Sequence, residues 1–166
     1  MLIRLITIPL VLVLSSGLAG AGTIAIFPFE LIDTSFEGEV YGVRADETRR
    51  LSLITEELRR RLTSDGRFDA ADMTAIKPEI ERASPLYKCA TCALDLAHRV
   101  GAEQVMTGTV QKVSNLILNI NIYVRDAESG KLISVASVDI RGNTDEIWLR
   151  GLHWLISNRL LSNEAK

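Results

Sequence analysis

From Leu116 onward, hydrophobic and polar side chains alternate with a period of two. Leu116, Leu118, Ile120, Ile122 and Val124 fall on one side, and Asn119, Asn121, Tyr123 and Arg125 on the other. That spacing predicts a strand with one wet face. After a turn over 126–130 the alternation resumes, with Ala136, Val138 and Ile140 inward and Ser137, Asp139 and Arg141 outward. The two strands therefore read as an antiparallel hairpin, with a strand over 104–114 alongside. A different apolar pattern fills 23–29, where Ile24-Ala25-Ile26-Phe27 runs without a polar interruption up to Pro28. A short run of that kind predicts a strand buried on both faces.

Between residues 46 and 62 the apolar spacing changes to three and four. Leu51, Ile54, Leu58 and Leu62 form one helical stripe, with Asp46 as the expected N-cap and Asp65-Gly66 as the stop. Arg49, Arg50, Arg59, Arg60 and Arg61 lie off that stripe, interleaved with Glu47, Glu56 and Glu57, which reads as a solvated, ion-paired face. Further elements follow: a short strand over 67–72, a brief helix over 75–83, a helix from Cys89 to the stop at Gly101, and a terminal helix over 147–161. Asn143 with Glu146 three residues on offers a variant capping box for the last helix. The segment 30–45 has no clear period and contains Gly38 and Gly42, so it reads as a long loop. The expected fold is α/β (α+β), a single-domain sandwich with a mixed sheet of about five strands flanked by helices, in the order β-α-β-α-α-β-β-β-α.

The first 21 residues stand apart. Arg4 precedes the apolar run 5–14, and small residues lead to Ala19-Gly20-Ala21. This is the layout of a secretory signal peptide cleaved after Ala21, with an apolar run too short to span a bilayer as a helix. Ala21 stands where a lipoprotein signal would need its lipid-accepting Cys, so no stable membrane anchor is expected after cleavage. The expected organisation is a signal peptide over 1–21 and one periplasmic or secreted domain over 22–166.

Composition narrows the classes. A chain of 166 residues, 47% hydrophobic and 24% charged, suits one globular domain rather than a disordered or two-domain protein. The formal net charge of −2 and the 5% aromatic content argue against a nucleic-acid partner.

Cys89-Ala90-Thr91-Cys92 carries the most specific chemistry. A Cys-x-x-Cys at a helix start places a thiol near the positive end of the helix dipole, and an oxidising compartment lets a disulfide persist. Two readings remain open: a structural disulfide, or a redox pair with Cys89 as nucleophile and Cys92 as resolver. Ala93 follows the second Cys, which excludes c-type haem attachment, and His98 and His153 do not complete a zinc site with metal-ligand spacing. No nucleophile elbow, zincin motif or phosphate-cradling loop is present, so no catalytic residue, cofactor or metal is expected. Glu30, Asp33 and Glu37 cluster in the loop after the first strand, where α/β folds place ligand sites, and form a candidate binding loop.

Several short motifs carry a family likeness. Ile24-Ala25-Ile26-Phe27-Pro28-Phe29, the helix ending at Asp65-Gly66-Arg67-Phe68, Leu96-Ala97 with Gly101-Ala102, Gly108-Thr109-Val110 and the 126–130 turn resemble the amino-terminal domain of TolB and curli-secretion-type periplasmic modules. The Cys-x-x-Cys with Arg141-Gly142-Asn143-Thr144-Asp145 and Trp148 is similar to a family of uncharacterised secreted proteobacterial proteins. Members of that family resemble accessory proteins encoded near periplasmic quinoprotein dehydrogenases. The resemblance implies an α/β domain that binds partners. With no complete catalytic constellation in the sequence, the leading expectation is a non-catalytic periplasmic accessory or binding module that meets a protein partner through the 30–45 loop or the polar face of the hairpin. A thiol-disulfide oxidoreductase is the alternative, and a small-ligand carrier using the 30–45 loop is a third class.

Overall fold

The computed structural model describes residues 22–89 and 91–162. The expected signal segment, 1–21, lies outside the described residues. Strand β1 (Gly22–Ile26) pairs in parallel with β3 (Phe68–Ala70) on one side and with β4 (Gln104–Lys112) on the other. Its continuous apolar run has the predicted cause, since Ile24 and Ile26 enter one core while Ala25 and Phe27 enter the other.

Pro28 interrupts the chain without ending its course. β2 (Glu30–Asp33) rejoins β4 further along, again in parallel, with Glu30 opposite Thr109 and Asp33 opposite Lys112. The break is stitched by Thr55, whose hydroxyl accepts from the Phe29 amide at 3.0 Å and donates to the Leu51 carbonyl at 2.7 Å. The segment 30–45 is thus not one long loop. It holds β2 and a short helix, α1 (Phe36–Tyr41), because Ser35 caps α1 and Asp33 holds Ser35, contacts that no periodic pattern announces.

β4, β5 (Ile117–Asp126) and β6 (Leu132–Arg141) form the antiparallel half of a six-stranded mixed sheet ordered β3-β1-β4-β5-β6, with β2 on the β4 edge. The alternation is as expected: Leu118, Ile120 and Ile122 are buried opposite Ile140, Val138 and Ala136. Leu116 instead lies in the exposed turn before β5.

Helices α2 (Ala45–Asp65) and α5 (Asp145–Leu155) cover the inward face of the sheet, where Ile54, Leu58, Leu62, Trp148, Leu152 and Leu155 pack on it. α3 (Lys77–Ala83) and α4 (Cys92–Arg99) cover part of the opposite face with Ile80, Leu96 and Ala97. The outward sides of β5 and β6 stay largely open. Two expected caps are corrected. Arg44, not Asp46, precedes α2, and Asp46 sits within its first turn, bonded to Arg44 and Arg50. Thr144, not Asn143, caps α5 by accepting from the Ile147 amide, which frees Asn143 to turn inward.

Candidate functional site

The three acidic residues singled out after β1 do not converge. Glu30 and Asp33 are three apart on one strand and so face opposite sides of the sheet. The Glu30 carboxylate accepts the backbone amides of Leu86 at 2.7 Å and Tyr87 at 3.0 Å, which moors the turn before the cysteines. Asp33 accepts from the Ser35 amide and hydroxyl and lies 3.3 Å from Lys112 Nζ. Burial pushes its carboxyl up, but the Ser35 donors and the Lys112 ammonium outweigh that and hold it below the ordinary carboxylate range. Glu37 accepts from Asn115 Nδ2 at 3.0 Å and so ties α1 to the β4–β5 turn.

That tie gathers an apolar surface at one end of the molecule. α1 buries none of its six residues, and Phe36, Val40, Tyr41 and the following Val43 are 77%, 52%, 76% and 81% exposed. Val113, Leu116 and Ile117 of the β4–β5 turn are exposed as well. A helix that contributes no apolar side chain to a core is held by polar bonds alone, here through Asp33, Ser35 and Glu37.

Beneath α1 lies a polar network that periodicity alone did not single out. Lys112 and Glu47 are fully buried, with Nζ 2.8 Å from Oε1. Asn143 Nδ2 donates to the same oxygen at 2.7 Å, while its Oδ1 accepts from Trp148 Nε1 at 3.0 Å and from Arg50 at 3.2 Å. Arg50, expected on a solvated face, is buried and pairs with Asp46 and Asp145. A sequence signal existed: Glu47 lies four residues before Leu51 and seven before Ile54, on the apolar stripe, and Lys112 continues the inward positions of Met106 and Val110.

Cys89 and Cys92 form a disulfide with a Cα–Cα distance of 5.5 Å, at the start of α4. It lines a groove of about 340 Å³ between the 86–94 segment and the outward face of the sheet. A larger cleft of about 840 Å³ opens at the carboxyl ends of β1 and β3, between α2 and α3, with Ile26, Phe29, Leu51 and Met73 inside and Arg59 and Lys77 at its margin. Arg59 is engaged there, donating to the Ile26 carbonyl at 2.9 Å and pairing with Glu56. His98 meets the Ala127 carbonyl and His153 meets Glu57, and among the described residues no three His, Cys, Asp or Glu are grouped to hold a metal ion. No helix among the described residues is long and apolar enough to cross a membrane.

Comparison with other proteins agrees with this fold. The profile of the DUF3280 family, described as "Protein of unknown function (DUF2380)", matches residues 22–160. No curated protein matches the chain. The LpoB C-terminal domain from Salmonella enterica superposes with a TM-score of 0.53 at 16% identity, over 76% of this chain and 87% of that one. Lipoprotein GNA1162 from Neisseria meningitidis gives 0.52 at 14% identity, over 87% of this chain and 99% of that one. TolB from Acinetobacter baumannii gives only 0.37 at 11% identity, over 75% of this chain and 24% of that one. The fold likeness therefore rests on LpoB and GNA1162.

Proposed function

We propose that this chain, which belongs to the DUF3280 family, is a non-catalytic accessory module that acts outside the cytoplasm by binding another protein. The observation that carries this reading is the unspent apolar surface of α1: Phe36, Val40, Tyr41 and Val43 remain in water although the polar bonds of Asp33, Ser35 and Glu37 hold the helix in place. Exposed apolar clusters on a rigid support are typical of interaction sites. The occupant is a protein with an apolar pocket bordered by cations, because Glu37 and Glu39 stand among the apolar side chains and would repel an anionic lipid surface.

Export is supported by the signal-like pattern of residues 1–21, by a family match that begins at residue 22, and by a disulfide of the kind that persists in oxidising compartments. The 22–166 segment is then the working domain.

A photo-crosslinking residue placed at Val40 in the tagged full-length protein, expressed in its host, tests the reading. The same exported protein should be captured reproducibly, and its capture should fall at least several-fold in Phe36→Ser/Tyr41→Ser and in Glu39→Lys while the melting temperature stays unchanged. Failure to capture any protein, or capture indifferent to all three substitutions, overturns it.

A further inference from the structure

The groove beside the disulfide differs chemically from the α1 surface and shares no lining residue with it. Its floor is the outward face of β4 and β5, where Thr107 stands opposite Tyr123 and Val105 opposite Arg125. Arg125 carries five N–H donors, and one of them is used, on the Gly130 carbonyl at 3.2 Å. It forms no ion pair with a carboxylate among the described residues.

Glu30 lines the same groove, and both of its oxygens accept backbone amides from Leu86 and Tyr87, which fixes its carboxylate without neutralising it. The hydroxyls of Thr107 and Tyr123, which line the groove, make no hydrogen bond to another side chain or backbone group among the described residues. The opposite wall is apolar, built from Leu94, Ala93 and the disulfide, with Tyr87 at the rim. The volume, about 340 Å³, lies at the small end of ligand sites.

We infer that this groove binds a carboxylate with a short apolar body. The guanidinium of Arg125 meets the carboxylate, the hydroxyls of Thr107 and Tyr123 donate to it, and the body lies against Leu94 and the disulfide. Arg125 is the one cation that lines the groove and Glu30 the one anion, so a second negative charge on the ligand would be repelled, which favours a carboxylate over a doubly charged phosphate, and a planar guanidinium suits a planar carboxylate. A free organic acid and the chain end of a peptide share this chemistry. The site is separate from the α1 surface, so either assignment can fail without the other.

Titration of the isotope-labelled protein, followed by NMR, decides the matter. The probes are 4-phenylbutyrate and its neutral amide, and acetyl-Ala-Ala-Phe with a free or an amidated end. The acids should shift the amides of Thr107, Tyr123 and Leu94 and bind at least about tenfold tighter than their amides, as a charge-assisted contact requires. Binding of 4-phenylbutyrate alone marks a free acid as the ligand, and of the tripeptide alone a chain end. R125Q should abolish the preference for the acid. Thr107→Val and Tyr123→Phe should each weaken acid binding several-fold, and they carry the test if R125Q does not fold. Equal binding of acid and amide, no shift from any probe at millimolar concentration, or a preference that survives these substitutions overturns the inference.

Discussion

Lys112 Nζ lies 2.8 Å from Glu47 Oε1, and both side chains are completely withdrawn from solvent. An ion pair in that position joins the end of β4 to the first turn of α2, directly under α1. Removing one partner strands the other charge in a medium that cannot solvate it, whereas removing both relieves the mismatch. Lys112→Met should therefore cost about 3–5 kcal/mol in chemical denaturation, and Lys112→Met/Glu47→Leu should recover a substantial part of that. Strictly additive costs in the double variant would show that the two groups do not act as a pair.

Acid should loosen the same region. Asp46 is held at about 2 by the Arg44 guanidinium and then by that of Arg50, which together outweigh the opposing effect of burial, and Asp33 is also held below its ordinary value of 3.8. A carboxyl whose folded pKa is depressed contributes stability that is present above its unfolded pKa and is lost as the pH falls through the folded value. For Asp46 the window runs from 3.8 down to about 2. Asp33→Asn should reduce stability at neutral pH and flatten the fall below pH 4, measured by urea denaturation across the pH range. An unchanged acid limb would mean that Asp33 is not one of the titrating ties.

Gly108 on β4 faces the Phe29 ring so closely that an added Cβ would overlap it. Gly108→Ala should cost about 1–3 kcal/mol through overpacking, and pairing it with Phe29→Leu should return part of the loss. A neutral Gly108→Ala would show that the β1–β2 break yields more readily than its Thr55 stitching implies.

The Cys89–Cys92 pair closes a very short loop, so its loss should cost only about 2 kcal/mol by the chain-entropy estimate. A staple should have a reduction potential below about −300 mV, and that is the expected result, whereas a value nearer −120 to −270 mV would favour the oxidoreductase alternative. Equilibration with glutathione or dithiothreitol buffers, read by alkylation and mass, distinguishes them.

Much of the fold was legible because its cause is local. The alternation in 117–141 reports burial of one sheet face, the uninterrupted run of 24–27 reports burial on both, and the stripe Ile54, Leu58, Leu62 reports the covering helix. β2 and α1 were not legible: four residues and six residues are too short for a period to emerge, and a cap through Ser35 together with pairing to a distant strand defines them. Glu30, Asp33 and Glu37 were marked as a cluster by their nearness in sequence, yet the strand pleat and a helix send them to Leu86, Lys112 and Asn115.

The sequence by itself determined which faces of β1, β5, β6 and α2 are apolar, where the antiparallel hairpin turns, and that Cys89 and Cys92 are close enough to bond. Only the tertiary structure decided that Glu47, Lys112 and Asn143 meet, that Arg50 is buried, and that Phe36 and Tyr41 are left in water. Side-chain period is a property of one element and survives in the sequence. The meeting of α2, β4 and the turn before α5 depends on how separate elements pack, and no spacing within any one of them records it.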